Sequence, residues 1–105
     1  MFPADVKDAM GYALYQAQLG RKAPTAKPLR GFGSAAILEV ADDYQGDTYR
    51  AVYSVRYADF IYVLHAFQKK SKKGVATPKS DMDLIKKRLR MAEEDYERRR
   101  KGSSV

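Results

Sequence analysis

Between Thr48 and Pro78 the chain reads TYRAVYSVRYADFIYVLHAFQKKSKKGVATP, and this stretch leaves few folds open. Side chains on a strand change face at every residue. From Thr48 to Arg56 that alternation sets Tyr49, Ala51, Tyr53 and Val55 on one face and Arg50, Val52, Ser54 and Arg56 on the other. One face is then apolar and the other carries two arginines. After a turn at Ala58-Asp59, Phe60 to Gln68 is apolar on both faces, Ile61, Val63 and Phe67 on one and Phe60, Tyr62, Leu64 and Ala66 on the other. A strand apolar on both sides is expected to be covered on both sides, hence central in its sheet. It runs directly into Lys69, Lys70, Lys72 and Lys73, with Gly74 behind them and a helix start at Thr77-Pro78. Positive charge is thereby concentrated at the end of a rigid strand.

The flanking segments supply two helices. Pro3 to Leu19 carries Val6, Met10, Ala13, Leu14 and Ala17 at helical spacing, with Pro3 suited to a first turn, Asp5 near the positive helix end and Gly20 as the stop. Tyr12 and Tyr15 flank that stripe and are read as packing residues. Arg21 to Ser34 holds prolines, glycines and basic residues and is expected to be a surface loop pinned to the core by Leu29 and Phe32. Its GFGSAA segment fits a nucleotide-fingerprint spacing but lacks the strand before and helix after that the fingerprint needs. Ala36 to Ala41 reads as a strand ended by a polar turn over residues 42–47, whose aspartates serve local backbone groups rather than a metal. The last element starts with Thr77 as N-cap and Pro78 at the first helical position and continues to about Glu97. Met82, Ile85, Leu89, Ala92 and Tyr96 form its packing stripe, and Lys86, Lys87, Arg88 and Arg90 lie on its other faces. An acidic run then meets Arg98, Arg99, Arg100 and Lys101, a basic tail over 98–105 that is expected to fray. The sum is an α+β fold in a single domain spanning residues 1–105. It comprises an N-terminal helix, a small antiparallel sheet of about three strands and a C-terminal helix.

Charge narrows the function. Twenty Lys and Arg against 13 Asp and Glu give a net charge of +7, which favours polyanions or an acidic protein partner. The absence of cysteine excludes disulfides and thiolate metal sites. No apolar run approaches the ~20 residues of a membrane span, so a cytoplasmic protein without membrane attachment is expected. Serine triads, HExxH and P-loops are missing, and neither a metal nor a cofactor is expected. Cationic phosphate chemistry remains. Arg50 and Arg56 on one sheet face, with Lys69, Lys70 and Lys72 at its end, are expected to surround one phosphodiester and stabilise charge on its oxygens. RNA brings its own nucleophile in the 2′-hydroxyl, and a lysine crowded by other cations has a lowered pKa and can take that proton. Arg30 and Lys73 join the phosphate-binding candidates. So does His65, which reads either as a partly buried, hydrogen-bonded core histidine or as a polar group beside the basic site.

The order of these segments resembles a known family. DV....GYAL..AQ.G, KPL.GFG....LE, YRAVY, YVLHAFQKKS and TP, followed by an amphipathic helix, are similar to the RelE/ParE toxin superfamily, in particular its HigB-like, phage-derived branch. The resemblance runs from Phe2 to about Ala92. It implies the toxin of a type II toxin–antitoxin pair: a metal-independent mRNA endonuclease acting on ribosome-bound mRNA, with a cognate antitoxin of helix-turn-helix type. By the same resemblance Arg50 in YRAVY matches the arginine that the family sets on the scissile phosphate, and Lys69 and Lys70 match the basic residues after the last strand. Arg50, Lys69 and Lys70 are therefore the catalytic candidates, with Lys72 a further match. The C-terminal tyrosine or histidine that some relatives use as acid or base has no counterpart, Tyr96 lying too deep in the helix. Relatives commonly carry another strand before the Phe2-Pro3 segment, so an exposed sheet edge is expected, open to the antitoxin or to a second copy in a homodimer. Two alternatives stand beside the nuclease. One is a ParE-like inhibitor of a protein target such as gyrase, which would lack the full cationic set. The other is a non-catalytic nucleic-acid-binding module, which would need exposed aromatics beside the lysines.

Overall fold

The computed structural model describes residues 2–33, 36–57, 60–69 and 77–103. Helix α1 (Ala4–Gln18) follows Pro3, whose carbonyl accepts the first helical bond from the Lys7 N–H at 3.0 Å. Val6, Met10, Ala13 and Ala17 are its buried stripe. It stops where expected: Gly20 takes φ +77°, its N–H donates to the Ala17 carbonyl, and the Arg21 N–H donates to the Gln16 carbonyl. These two bonds satisfy carbonyls that the helix end would otherwise leave open.

A four-stranded antiparallel sheet follows in the order β1-β2-β3-β4. Strand β1 (Ala26–Pro28) lies inside the segment expected to be loop and pairs with β2 (Ile37–Tyr44), raising the strand count from three to four. Three residues ending in proline carry no readable alternation, and proline, lacking an N–H, is tolerated only where a sheet ends. Strand β2 meets β3 (Asp47–Ser54) through the two-residue turn Gln45-Gly46, at φ +50° and +87°. Positive φ at both positions matches the twist of a tight hairpin, so Asp42 to Tyr44 continue the strand instead of forming the expected turn. The remaining pairing, β3 with β4 (Tyr62–Lys69), overturns the expectation that the most apolar strand is central. Among the described residues β4 is an edge, and its Val63 is 54% exposed.

Helix α1 and helix α2 (Lys79–Ser103) cover opposite faces of this sheet. Leu38, Val40, Tyr49, Ala51 and Tyr53 pack with the α1 stripe. Ile37, Val52 and Leu64 pack with Ile85, Leu89 and Ala92 of α2, and Leu29 and the half-buried Phe32 join them as the sequence indicates. The Pro78 carbonyl accepts from the Met82 N–H at 3.0 Å, so Pro78 and not Thr77 sits at the capping position. At its other end α2 continues beyond Glu97 to Ser103, with Arg98 and Arg99 paired to Asp95 and Arg100 to Glu97. Tyr12 and Tyr15 do not pack: they are 57% and 56% exposed on the outer face of α1.

Candidate nucleic-acid interface

The face of the sheet beneath α2 carries the groups of interest, and a bulge decides which of them reach it. Strand pairing matches Val52 with His65 but Tyr53 with Val63, so Leu64 is the extra residue in β4. The insertion interrupts the alternation. Leu64 and Phe67, expected on opposite faces, consequently share one core cluster. Helix α2 clips the bulge with one side chain: Arg88 Nη1 donates to the Leu64 carbonyl at 3.0 Å and to His65 Nδ1 at 3.1 Å. An arginine N–H can only donate, so Nδ1 accepts and Nε2 carries the ring hydrogen, which it donates to Asp81 Oδ1 at 2.8 Å. The imidazole also stacks on Phe67, with ring centroids 4.9 Å apart. Both ring nitrogens are thus engaged within the fold, and the hydrogen-bonded core role, not phosphate binding, describes His65.

Arg50 projects from β3 onto the same face. Its Nη1 donates to Glu39 Oε2 at 2.9 Å, with the arginine side chain 18% exposed and the glutamate 5%. A carboxylate this buried is tolerated only with a charged partner. Arg50 Nε is buried without a hydrogen-bond partner among the described residues. Strand register sets Phe67 opposite Arg50 and Lys69 opposite Thr48, so Lys69 takes the diagonal position beside Arg50, a spacing of roughly 7–8 Å between backbones. Lys70, Lys72 and Lys73 lie outside the described residues, as does the Lys69 side chain.

Arg56 does not join this group. It lies beyond the end of β3, bonded through Nη1 to Glu93 Oε1 at 2.7 Å, and six strand positions at ~3.4 Å each separate it from Arg50 by roughly 20 Å. One phosphodiester cannot span that distance, so the expected pairing of the two arginines fails. Arg30 is exposed, between the buried Leu29 and the exposed Gly31, where an added Cβ would meet Met82 Cε of α2 at 3.0 Å. Tyr96 stacks on Tyr57 at 4.0 Å near the far end of α2, remote from Arg50. Nearby, Asp95 accepts from Arg99, Tyr62 and Arg98, and these bonds, Arg99 foremost, hold its carboxyl at about 2. Burial, with the bond to Asp95 second, pushes the Tyr62 phenol up.

Glu39, Asp81 and Arg88 are the residues that sequence reasoning missed. A signal existed for Glu39, a lone charge inside the apolar run ILEV on the strand next to Arg50. None existed for the His65 clip, because the bulge creates it.

Residues 1–90 match the family model described as phage derived protein Gp49-like (DUF891). The chain belongs to this Gp49-like family. No curated protein and no solved structure matches it. The Gp49-like region includes Glu39, Arg50, His65, the lysine run, Asp81 and Arg88, while the Tyr96, Asp95 and Arg99 cluster lies beyond it. No helix among the described residues is long and apolar enough to cross a membrane.

Proposed function

We propose that this Gp49-like protein is the toxin of a type II toxin–antitoxin pair and cleaves ribosome-bound mRNA as a metal-independent endoribonuclease in the cytoplasm. The observation that carries the reading is the register that sets Lys69 diagonal to Arg50, at the head of the Lys70, Lys72 and Lys73 run. Arg50, oriented by Glu39, holds the scissile phosphate and offsets the charge that builds on its non-bridging oxygens. Lys69 or Lys70 takes the proton of the 2′-hydroxyl as that oxygen attacks phosphorus. The bond to the 5′-oxygen breaks, that oxygen takes a proton from solvent water, the lysine returns its own to the hydroxide left behind, and the products are a 2′,3′-cyclic phosphate and a 5′-hydroxyl. Lys72 and Lys73 bind flanking phosphates. A helix-turn-helix antitoxin restrains the toxin, and the open edge of β4 accepts either that antitoxin or a second copy of the chain.

The test uses the purified chain on labelled mRNA, free and ribosome-bound, in the magnesium that holds the ribosomal subunits together. Arg50→Ala is a poor probe because it would strand Glu39, so Arg50→Lys is compared with Lys69→Ala/Lys70→Ala. Cleavage should leave cyclic-phosphate ends, the mark of attack by the 2′-hydroxyl, and fall by ~10²-fold or more in the lysine variant, the usual size of a proton-transfer contribution. Undiminished cleavage in both variants would remove the assigned site. Growth arrest without any cleavage would instead favour the ParE-like inhibitor.

A further inference from the structure

Tyr12 and Tyr15 on α1 and Leu19 just past its last residue stand at i, i+3 and i+7 and are 57%, 56% and 48% exposed. This spacing gives an amphipathic helix a second apolar stripe, one that no described element covers. The stripe leads into a groove of about 940 Å³ between the end of α1 and the segment joining β3 to β4. Leu38, Val55 and Ile61 line the groove, Phe60 borders it at 37% exposure, and among the described residues none that lines it is acidic. The reversal at Gly20 brings Arg21 and Lys22 to its rim, and Arg99 lies 5.5 Å over the Phe60 ring.

We infer that the α1 outer face and this groove form a docking surface for an acidic amphipathic segment of a protein partner. Tyr12, Tyr15, Leu19 and the groove take its apolar side chains, and Arg21 and Lys22 pair with its carboxylates. The lining favours a peptide over a nucleic acid. Leu38, Val55 and Ile61 offer aliphatic surface without the hydrogen-bonding groups that read base edges, the Tyr57 and Phe60 rings beside them are already engaged by Tyr96 and Arg99, and two cations at one end do not track a phosphate backbone. The surface is also separate from the proposed nuclease site. Val55 packs with the α1 cluster while Arg50 faces α2, and five strand positions put the two roughly 17 Å apart along β3. A segment seated here therefore leaves Arg50 uncovered.

The probe is a fluorescein-labelled amphipathic peptide of glutamate and leucine, with a lysine-for-glutamate version and labelled oligouridylate as the other arms. Anisotropy should show binding of the acidic peptide, weakened about tenfold or more in the lysine version and in Arg21→Glu/Lys22→Glu. Leu19→Asp should weaken it similarly, and Lys86→Glu/Lys87→Glu on the exposed side of α2 should not. Amide shifts on binding should fall on residues 12–22 and 53–61. The proposal is overturned if the acidic peptide does not bind, if Arg21→Glu/Lys22→Glu binds it as wild type does, or if oligouridylate displaces it from the same residues. RNA cleavage should be unchanged in Arg21→Glu/Lys22→Glu, so either reading can fail without the other.

Discussion

Arg50 carries two demands at once. Its Nη1 neutralises a Glu39 side chain only 5% exposed, and the nuclease proposal asks the same guanidinium to bind a phosphate. Removing one member of such a pair leaves a buried charge unpaired, so Arg50→Ala should cost about 3–5 kcal/mol. Arg50→Lys keeps a cation within reach of Glu39 and should cost clearly less. Urea unfolding of the two variants checks the order, and equal losses would mean that charge neutralisation is not what Arg50 contributes. Tyr53 makes the opposite case. Its hydroxyl is buried without a hydrogen-bond partner among the described residues, and burial raises its pKa. An unsatisfied buried polar group costs on the order of 1 kcal/mol or more, so Tyr53→Phe should raise the urea midpoint at neutral pH.

At the level of elements, periodicity identified both main helical stripes and the strand that carries Arg50, because each buries one face against one partner. It failed at β4, where a single inserted residue at Leu64 moves His65 and Phe67 relative to Tyr62, and no composition signal marks a bulge. It failed also for Arg56, since alternation reports which face a residue takes and says nothing of how far apart two residues of that face lie. Tyr12 and Tyr15 were misread for a related reason: an aromatic beside a buried stripe has the composition of a core residue whether or not anything packs on it. The bulge makes α2 and β4 one unit. His65→Ala deletes the bond to Asp81 and the acceptor for Arg88, so amides of the first α2 turns should exchange faster in hydrogen-exchange measurements, while α1 amides should not change. The other end of α2 responds to acid. Asp95 titrates near 3.8 when unfolded and at about 2 when folded, so its stabilisation is fully present above about 3.8 and is lost as pH falls toward 2. The stability gap between wild type and Asp95→Asn should therefore close over that window, and a gap that persists at the acid end would contradict the linkage.

Across the whole molecule the sheet separates two sets of groups. Arg50 and Glu39 lie on the α2 face, near the Lys69 end of β4, and the groove with Arg21 and Lys22 lies on the α1 face toward the Val55 end. Residues this far apart, with no shared partner, perturb a protein independently, and their free-energy effects add to within roughly 0.3–0.5 kcal/mol. The triple variant Arg50→Lys/Arg21→Glu/Lys22→Glu should then lose the stability of Arg50→Lys and that of Arg21→Glu/Lys22→Glu in sum, measured by urea unfolding. Its RNA-cleavage defect should equal that of Arg50→Lys alone, and its acidic-peptide defect that of the groove variant alone. A coupling clearly larger than this would mean that occupancy of the α1 face reaches Arg50 through the strand that joins them. The residues able to carry it are few, since Ala51 and Tyr53 of β3 pack against α1 while Arg50 and Val52, which alternate with them, face α2. Repeating the cycle with Tyr53→Phe, which alters the chemistry of that wall with little change of shape, would then locate the connection in β3 or exclude it.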